Sequence, residues 1–205
     1  MTEQPGGPAI LIPAAGRSTR MRGRDKLIEP VRGRPLLADR AAIAVTALGA
    51  AASVLVALPP RNAAPDRWDA LGGLGVTCVE VAAPEAGMSA SLAAGIAALP
   101  AFVTALMILP ADMPDITADD LSALISAFDG RTILRGTGDD GTPGHPVLFP
   151  ARDLPALAAQ TGDQGGRALL AADPARVRLV PLPGRHALTD LDTPEDWAAW
   201  RARQP

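Results

Sequence analysis

Eighteen of the nineteen Lys and Arg positions in this chain are arginine, and the one lysine is Lys26. Lys26 closes the tract PAAGRSTRMRGRDK (13–26), which holds five cations and two hydroxyls directly after the apolar run Ala9-Ile10-Leu11-Ile12. Small residues let backbone N–H groups approach anionic oxygens closely. A compact ammonium then adds a point charge where a forked guanidinium would be bulkier. The tract has the chemistry of a phosphate cradle; the plainer alternative is a solvated basic loop with a chance lysine.

Two carboxylate segments add a second kind of chemistry. Asp112 stands just past the apolar run of Ala105-Leu106-Met107-Ile108-Leu109-Pro110-Ala111-Asp112-Met113-Pro114. A hard Mg²⁺ is commonly held by one or two carboxylates plus substrate phosphates, and Asp112 is placed to be the first of them. The same residue also reads as the start of a turn before Pro114. Asp190-Leu191-Asp192-Thr193 lies upstream of a helical segment, where Asp192 is either a second metal carboxylate or a helix N-cap. Ser89 and Ser91, in GMSASL (87–92), either grip a nucleobase edge or phosphate or, for Ser89, cap a helix. Gly144-His145-Pro146 and TGDQGGR (161–167) are loops richer in polar groups than a connection needs, whereas His186 reads as surface.

The elements that must position these groups are legible as short apolar runs at 9–12, 54–58, 76–81, 106–109, 132–134, 147–149 and 177–180. Helix-like stretches are expected at about 35–48, 64–71, 89–99, 118–128, 152–160, 165–172 and 194–202. Runs this apolar, alternating with helices, predict an α/β fold with a mainly parallel sheet covered on both faces. In such a sheet, ligands collect outside the carboxyl ends of the strands where strand order reverses. Loop 13–26 and Asp112 both follow apolar runs and so fall at one sheet edge. Thr117, ahead of Asp119 and Asp120, and Thr193-Pro194-Glu195-Asp196 carry helix-start signals.

Composition excludes several classes. Over 205 residues the net charge is −3 with signs mixed throughout, so no nucleic-acid face or polybasic membrane anchor is expected and any anion site is local. A single cysteine, Cys78, rules out an internal disulfide and a cysteine-rich zinc site, in keeping with a cytoplasmic location. Residues 86–111 lack charge, but Gly87, Ser89, Ser91, Gly95, Pro100 and Thr104 break the stretch, so a helix followed by a buried strand is expected in place of a membrane span. The chain is read as a short N-terminal tail (1–8) and one domain (9–205). Two phosphate motifs fail: Lys26 precedes Leu27, so no P-loop exists, and the literal G-x-G-x-x-G of Gly136–Gly141 runs into Thr142-Pro143-Gly144, which cannot open a helix.

Taken together, AAGRSTRM-x-G-x-x-K (14–26), GMSASLAAGI (87–96), LPADMP (109–114), GHPVLF (144–149), TGDQGGR (161–167) and DLDTPED (190–196) resemble, in order, the molybdenum cofactor cytidylyltransferase family of the GT-A-like nucleotidyltransferases. The resemblance implies a three-layer, Rossmann-like (GT-A-like) mostly parallel mixed sheet flanked by helices. It implies transfer of CMP from CTP to molybdopterin cofactor with release of pyrophosphate, with Mg²⁺ as cofactor and a molybdoenzyme receiving the product. By the same resemblance Arg20 and Lys26 are catalytic. Ala14, Ala15, Gly16, Arg17, Ser18, Ser89 and Ser91 bind the nucleotide, His145, Asp163 and Arg167 the acceptor, and Asp112 and Asp192 the metal. Arg22 stands where the family has glycine after Met21, and Pro143 where a basic residue is common. Two other readings remain: a sugar phosphate or methylerythritol phosphate as acceptor, or a non-catalytic nucleotide-binding or cofactor-chaperone protein.

Overall fold

The computed structural model describes residues 6–49, 53–162 and 165–204. One sheet of seven strands organises them, in the order β5-β4-β1-β6-β8-β7-β9. Its strands are β1 (Pro8–Pro13), β4 (Ser53–Leu58), β5 (Thr77–Glu80), β6 (Ala105–Ile108), β7 (Ile133–Thr137), β8 (Pro143–Pro150) and β9 (Val177–Pro181). A two-residue ribbon, β2 (Pro30–Val31) with β3 (Arg34–Pro35), stands apart and is too short to leave a periodic signal. β1 pairs in parallel with β4 and β6, β4 with β5, and β7 with β9; β8 alone runs antiparallel to both its neighbours. The mainly parallel α/β sheet expected from the apolar runs is observed, and it is mixed, as the resemblance implies.

Alternation along β1 shows why the sheet is covered twice. Ile10 and Ile12 face one core, which α1 (Leu36–Leu48), α4 (Ala118–Ser126) and α7 (Pro194–Arg201) close, while Ala9 and Leu11 face another, closed by α3 (Met88–Ala97) and α5 (Leu154–Ala158). All four are fully buried, and burying a side chain such as Ile10, Leu11 or Ile12 contributes about 1.5–3 kcal/mol. α3 sits close on the sheet because Gly95 lacks a side chain: a Cβ there would stand 2.5 Å from the Leu11 methyls. The remaining helices are α2 (Pro65–Asp69) and α6 (Arg167–Ala172).

The chain leaves β1 toward β4 and β5 on one side and returns through α3 to β6 on the other. The strand order therefore reverses at β1, and the carboxyl ends of β1 and β6 flank the resulting crevice. Both expected helix starts are capping boxes, Thr117 with Asp120 and Thr193 with Asp196. The glycine pattern at 136–141 is the β7–β8 hairpin turn, closed by Gly138 N–H to Thr142 O at 3.0 Å. Of the expected N-terminal tail, residues 1–5 lie outside the described residues; Gly7 already accepts the Thr104 N–H at 3.0 Å, and Pro8 opens β1. Among the described residues no helix is long and apolar enough to cross a membrane.

Candidate active site

The loop after β1 turns its backbone outward. Ala14 N–H is used by Ala57 O at 2.8 Å, but the N–H groups of Ala15, Gly16 and Arg17 have no acceptor among the described residues. They line a cleft of about 670 Å³ with Arg20, Lys26, Ser91 and Asp112. Unpaired amides beside Arg17, Arg20 and Lys26 suit the cleft to an anion. Beyond it, the loop passes through a 3-10 turn (Thr19–Met21) into Arg22, which adopts a left-handed backbone at φ 53°. That conformation favours glycine, the residue the resemblance led us to expect there. Arg22 holds it with its guanidinium 2.6 Å from Glu195.

Lys26 is gripped by the two carboxylates that the sequence set apart by eighty residues. Its Nζ donates to Asp112 Oδ2 at 2.6 Å and to Asp192 Oδ1 at 2.7 Å, and Arg20 Nη1 lies 2.8 Å from the other oxygen of Asp192. Burial works against the ammonium, but the charges and hydrogen bonds of Asp112 and Asp192 outweigh it and hold the Lys26 pKa above the ordinary lysine value. The two carboxylate loops are also joined directly, by Leu191 N–H to Asp112 O at 3.0 Å. α7 anchors the second loop: Trp197 and Trp200 are buried edge to face, and Trp200 Nε1 donates to Asp115 Oδ1 at 2.7 Å. The helix cap is Thr193, which leaves the Asp192 side chain free to face the cations.

A second cleft, of about 410 Å³, opens on the other side of Asp112. Leu92, Ile108, Val147, Phe149 and Leu170 give it an apolar floor, and Arg135, His145, Arg167 and Asp190 supply polar groups. Neither Arg135 nor Arg167 pairs with a carboxylate among the described residues, and Arg135 is fixed by its own Nε–H on Gly144 O at 2.9 Å. Burial, then the nearby Arg135 and Arg167 charges, push the His145 pKa down to about 4 against the pull of Asp112, so the imidazole is neutral and its Nδ1 is buried without a partner. Asp190 is shifted the other way, upward, by burial and then by the Asp112 and Asp192 charges.

Most expected residues converge on this crevice: Ala14, Ala15, Gly16, Arg17, Arg20, Lys26, Ser91 and Asp112 line the first cleft, and His145, Arg167 and again Asp112 the second. Asp163 lies outside the described residues. Ser18 turns inward, its Oγ donating to Asp25 and accepting the Lys26 N–H. Ser89 is buried and donates to Ala86 O at 3.3 Å; α3 is capped by Gly87 with no side-chain bond, so the capping reading of Ser89 does not hold. Sequence reasoning missed Arg135, whose signal was a cation inside an otherwise apolar strand, and Arg67, which carried none.

Residues 10–177 match the family described as the MobA-like NTP transferase domain. A 2-C-methyl-D-erythritol 4-phosphate cytidylyltransferase of Xanthomonas euvesicatoria pv. vesicatoria (strain 85-10) is 34% identical over 147 residues, 64% of this chain. The match spans only about half of that relative, 54% of its length. Rv0371c from Mycobacterium tuberculosis H37Rv has the same fold, with a TM-score of 0.82 at 24% identity over 96% of this chain and 98% of its own. Its complex with manganese gives 0.77 at 24% identity over 97% and 100%. A CMP:2-keto-3-deoxy-manno-octonic acid synthetase complexed with CTP gives 0.70 at 14% identity over 96% and 98%. The Rossmann-like mixed sheet is therefore a nucleotidyltransferase fold.

Proposed function

The chain belongs to the MobA-like NTP transferase family, and from that premise we propose that it transfers CMP from CTP to the terminal phosphate of a molybdopterin-type cofactor. The observation that carries the reading is the meeting of two unlike clefts at Asp112, an amide- and cation-lined one for a triphosphate and an apolar-floored one for a second substrate. An oxygen of the acceptor phosphate attacks the α-phosphorus of CTP, the bond from that phosphorus to the bridging oxygen breaks, and its electron pair leaves on pyrophosphate. An acceptor that is already ionised needs no general base, which suits a site with no nucleophile–histidine pair among the described residues.

Each residue's part follows from its place. The Ala15–Arg17 amides and Arg20 hold phosphate oxygens, and Lys26 meets charge that grows on the leaving group. Arg135 and Arg167 draw an anionic acceptor into the second cleft, and neutral His145 lines its wall. Asp112 and Asp192, already aimed at one cation, fit as carboxylate ligands of a hard divalent ion. Among the described residues no group of three or more His, Cys, Asp or Glu side chains forms a cage, so substrate oxygens would complete the shell. Magnesium, when bound, supplies charge neutralisation between the phosphates. The setting is the cytoplasm, with a molybdoenzyme taking up the product.

The apolar floor favours a flat ring system over a polyol. A second reading, methylerythritol phosphate as acceptor, draws on the 34% identity to the cytidylyltransferase named above. The test is purified protein with CTP, Mg²⁺ and either molybdenum cofactor or methylerythritol phosphate, followed by mass analysis. A cytidylylated pterin is expected; product from methylerythritol phosphate alone moves the assignment to the second reading, and no pyrophosphate from either reduces the protein to a nucleotide binder.

A further inference from the structure

We propose that Arg67 is the positioning residue that fixes where Lys26 stands, acting through Asp25 and Ser18; the claim rests on reading Lys26 as the charge donor of nucleotidyl transfer. Arg67 reaches up from α2 and is 4% exposed. A guanidinium carries five N–H donors, and in Arg67 every one has an acceptor on the phosphate loop. Nη1 donates to Ala14 O at 2.6 Å and Gly16 O at 2.8 Å, Nε to Asp25 Oδ2 at 2.6 Å, and Nη2 to Asp25 Oδ1 at 2.9 Å and Ser18 Oγ at 3.3 Å.

The hold continues to the lysine. Asp25 also accepts the Ser18 hydroxyl at 3.0 Å and the Leu27 N–H at 3.0 Å, and Ser18 Oγ accepts the Lys26 N–H at 3.2 Å. The backbone on both sides of Lys26 is thus pinned by acceptors that Arg67 itself pins. Burial opposes the Asp25 charge, yet the Arg67 hydrogen bonds and charge hold its carboxyl below the usual aspartate value.

Stability alone does not call for this arrangement. A buried ion pair is often matched or exceeded in stability by apolar residues of similar volume. What a fully donated guanidinium supplies is a single loop conformation, with the Ala15–Arg17 amides on its outer side and Lys26 at its end. Arg40, buried on α1, makes the useful contrast: it donates to Met113 O and Ile116 O but leaves Nε without a partner. Misplacing a reacting group by about an ångström costs on the order of 10²-fold in rate, so loosening the loop should act on turnover.

Because Lys26 is the only lysine, protein labelled with ¹³C-lysine gives one Hε–Cε cross-peak that reports its surroundings without substrate or metal. The experiment compares that cross-peak and the turnover in wild type, Arg67→Gln and Ser18→Ala. A displaced cross-peak in both folded variants, with kcat lowered on the order of 10² in Arg67→Gln and by less in Ser18→Ala, is the expected result. A cross-peak left at the wild-type position in both overturns the proposal. Should Arg67→Gln not fold, the Ser18→Ala cross-peak decides alone, displacement supporting the clamp and no displacement overturning it. A displaced cross-peak with wild-type turnover retains the clamp and overturns the reading of Lys26 as charge donor.

Discussion

Gly144 and Ala187 meet backbone to backbone: a Cβ on Gly144 would stand 1.9 Å from the Ala187 carbonyl oxygen, which also accepts the His145 N–H at 2.9 Å. The contact seats β8 against the segment that leads into Asp190 and Asp192. Neither backbone can yield without moving one wall of the second cleft. Gly144→Ala is therefore expected to cost about 3 kcal/mol, at the upper end for an overpacked site, and to raise the KM for the acceptor. Denaturant unfolding measures the first effect; wild-type stability would mean that the two segments are free to part.

Lys26 touches both carboxylates at once, so its removal takes away a charge donor and leaves two like charges facing each other. Turnover in Lys26→Ala is expected to fall about 10²–10³-fold, as for loss of one preorganised donor. Lys26→Arg should stay well below wild type, because a planar fork cannot occupy the small space between Asp112 and Asp192 as an ammonium does. Steady-state rates of pyrophosphate release check both, and full activity in the alanine variant would remove Lys26 from the mechanism.

Asp112→Asn keeps the size of the side chain and removes its charge. The residue sits on a turn with its side chain partly exposed, so the fold should persist while the dependence of activity on Mg²⁺ is lost. Circular dichroism and a magnesium titration separate the outcomes. Unfolding of this variant, or an unchanged magnesium response, would return Asp112 to the role of a turn residue.

Arg135 and Arg167 both line the second cleft, and neither pairs with a carboxylate among the described residues. Removing the second, in Arg167→Ala, should raise the KM of an anionic acceptor and leave CTP affinity nearly unchanged, since the cleft proposed for the triphosphate lies across Asp112. An equal loss of CTP binding would place Arg167 on the nucleotide side.

The sheet and most of the crevice were legible because their signals are local. Apolar runs of strand length mark β1 and β6, and the tract 14–26 carries its cations and small residues side by side. What lay hidden depended on the third dimension. β8 begins four residues before its apolar run, since Pro143 and Gly144 look like loop residues and become strand only by pairing with β7. Ser18 has the composition of a phosphate contact, and only the buried Arg67, 49 residues away, shows why it faces inward. Loop 13–26 and Asp112 could be placed at one sheet edge, but that Lys26 Nζ bridges Asp112 and Asp192 is a side-chain contact that no spacing in the sequence records.

His145 yields a prediction about pH. Burial first, and then Arg135 and Arg167, lower its pKa from 6.5 to about 4 in the folded chain. Between those values the unfolded chain takes up a proton that the folded chain refuses, so folding becomes less favourable as pH falls. The stability contributed by keeping the ring neutral is complete above pH 6.5 and lost progressively down to about pH 4. His145→Gln removes the titrating group, and its melting temperature should therefore fall less than that of wild type between pH 7 and pH 5. A gap between the two proteins that stays constant over that interval would show that the ring is not held neutral. The same neutrality has a kinetic face. A cleft histidine of ordinary pKa would imprint a step near pH 6.5 on the acceptor's KM, whereas His145 should leave that profile flat until pH approaches 4.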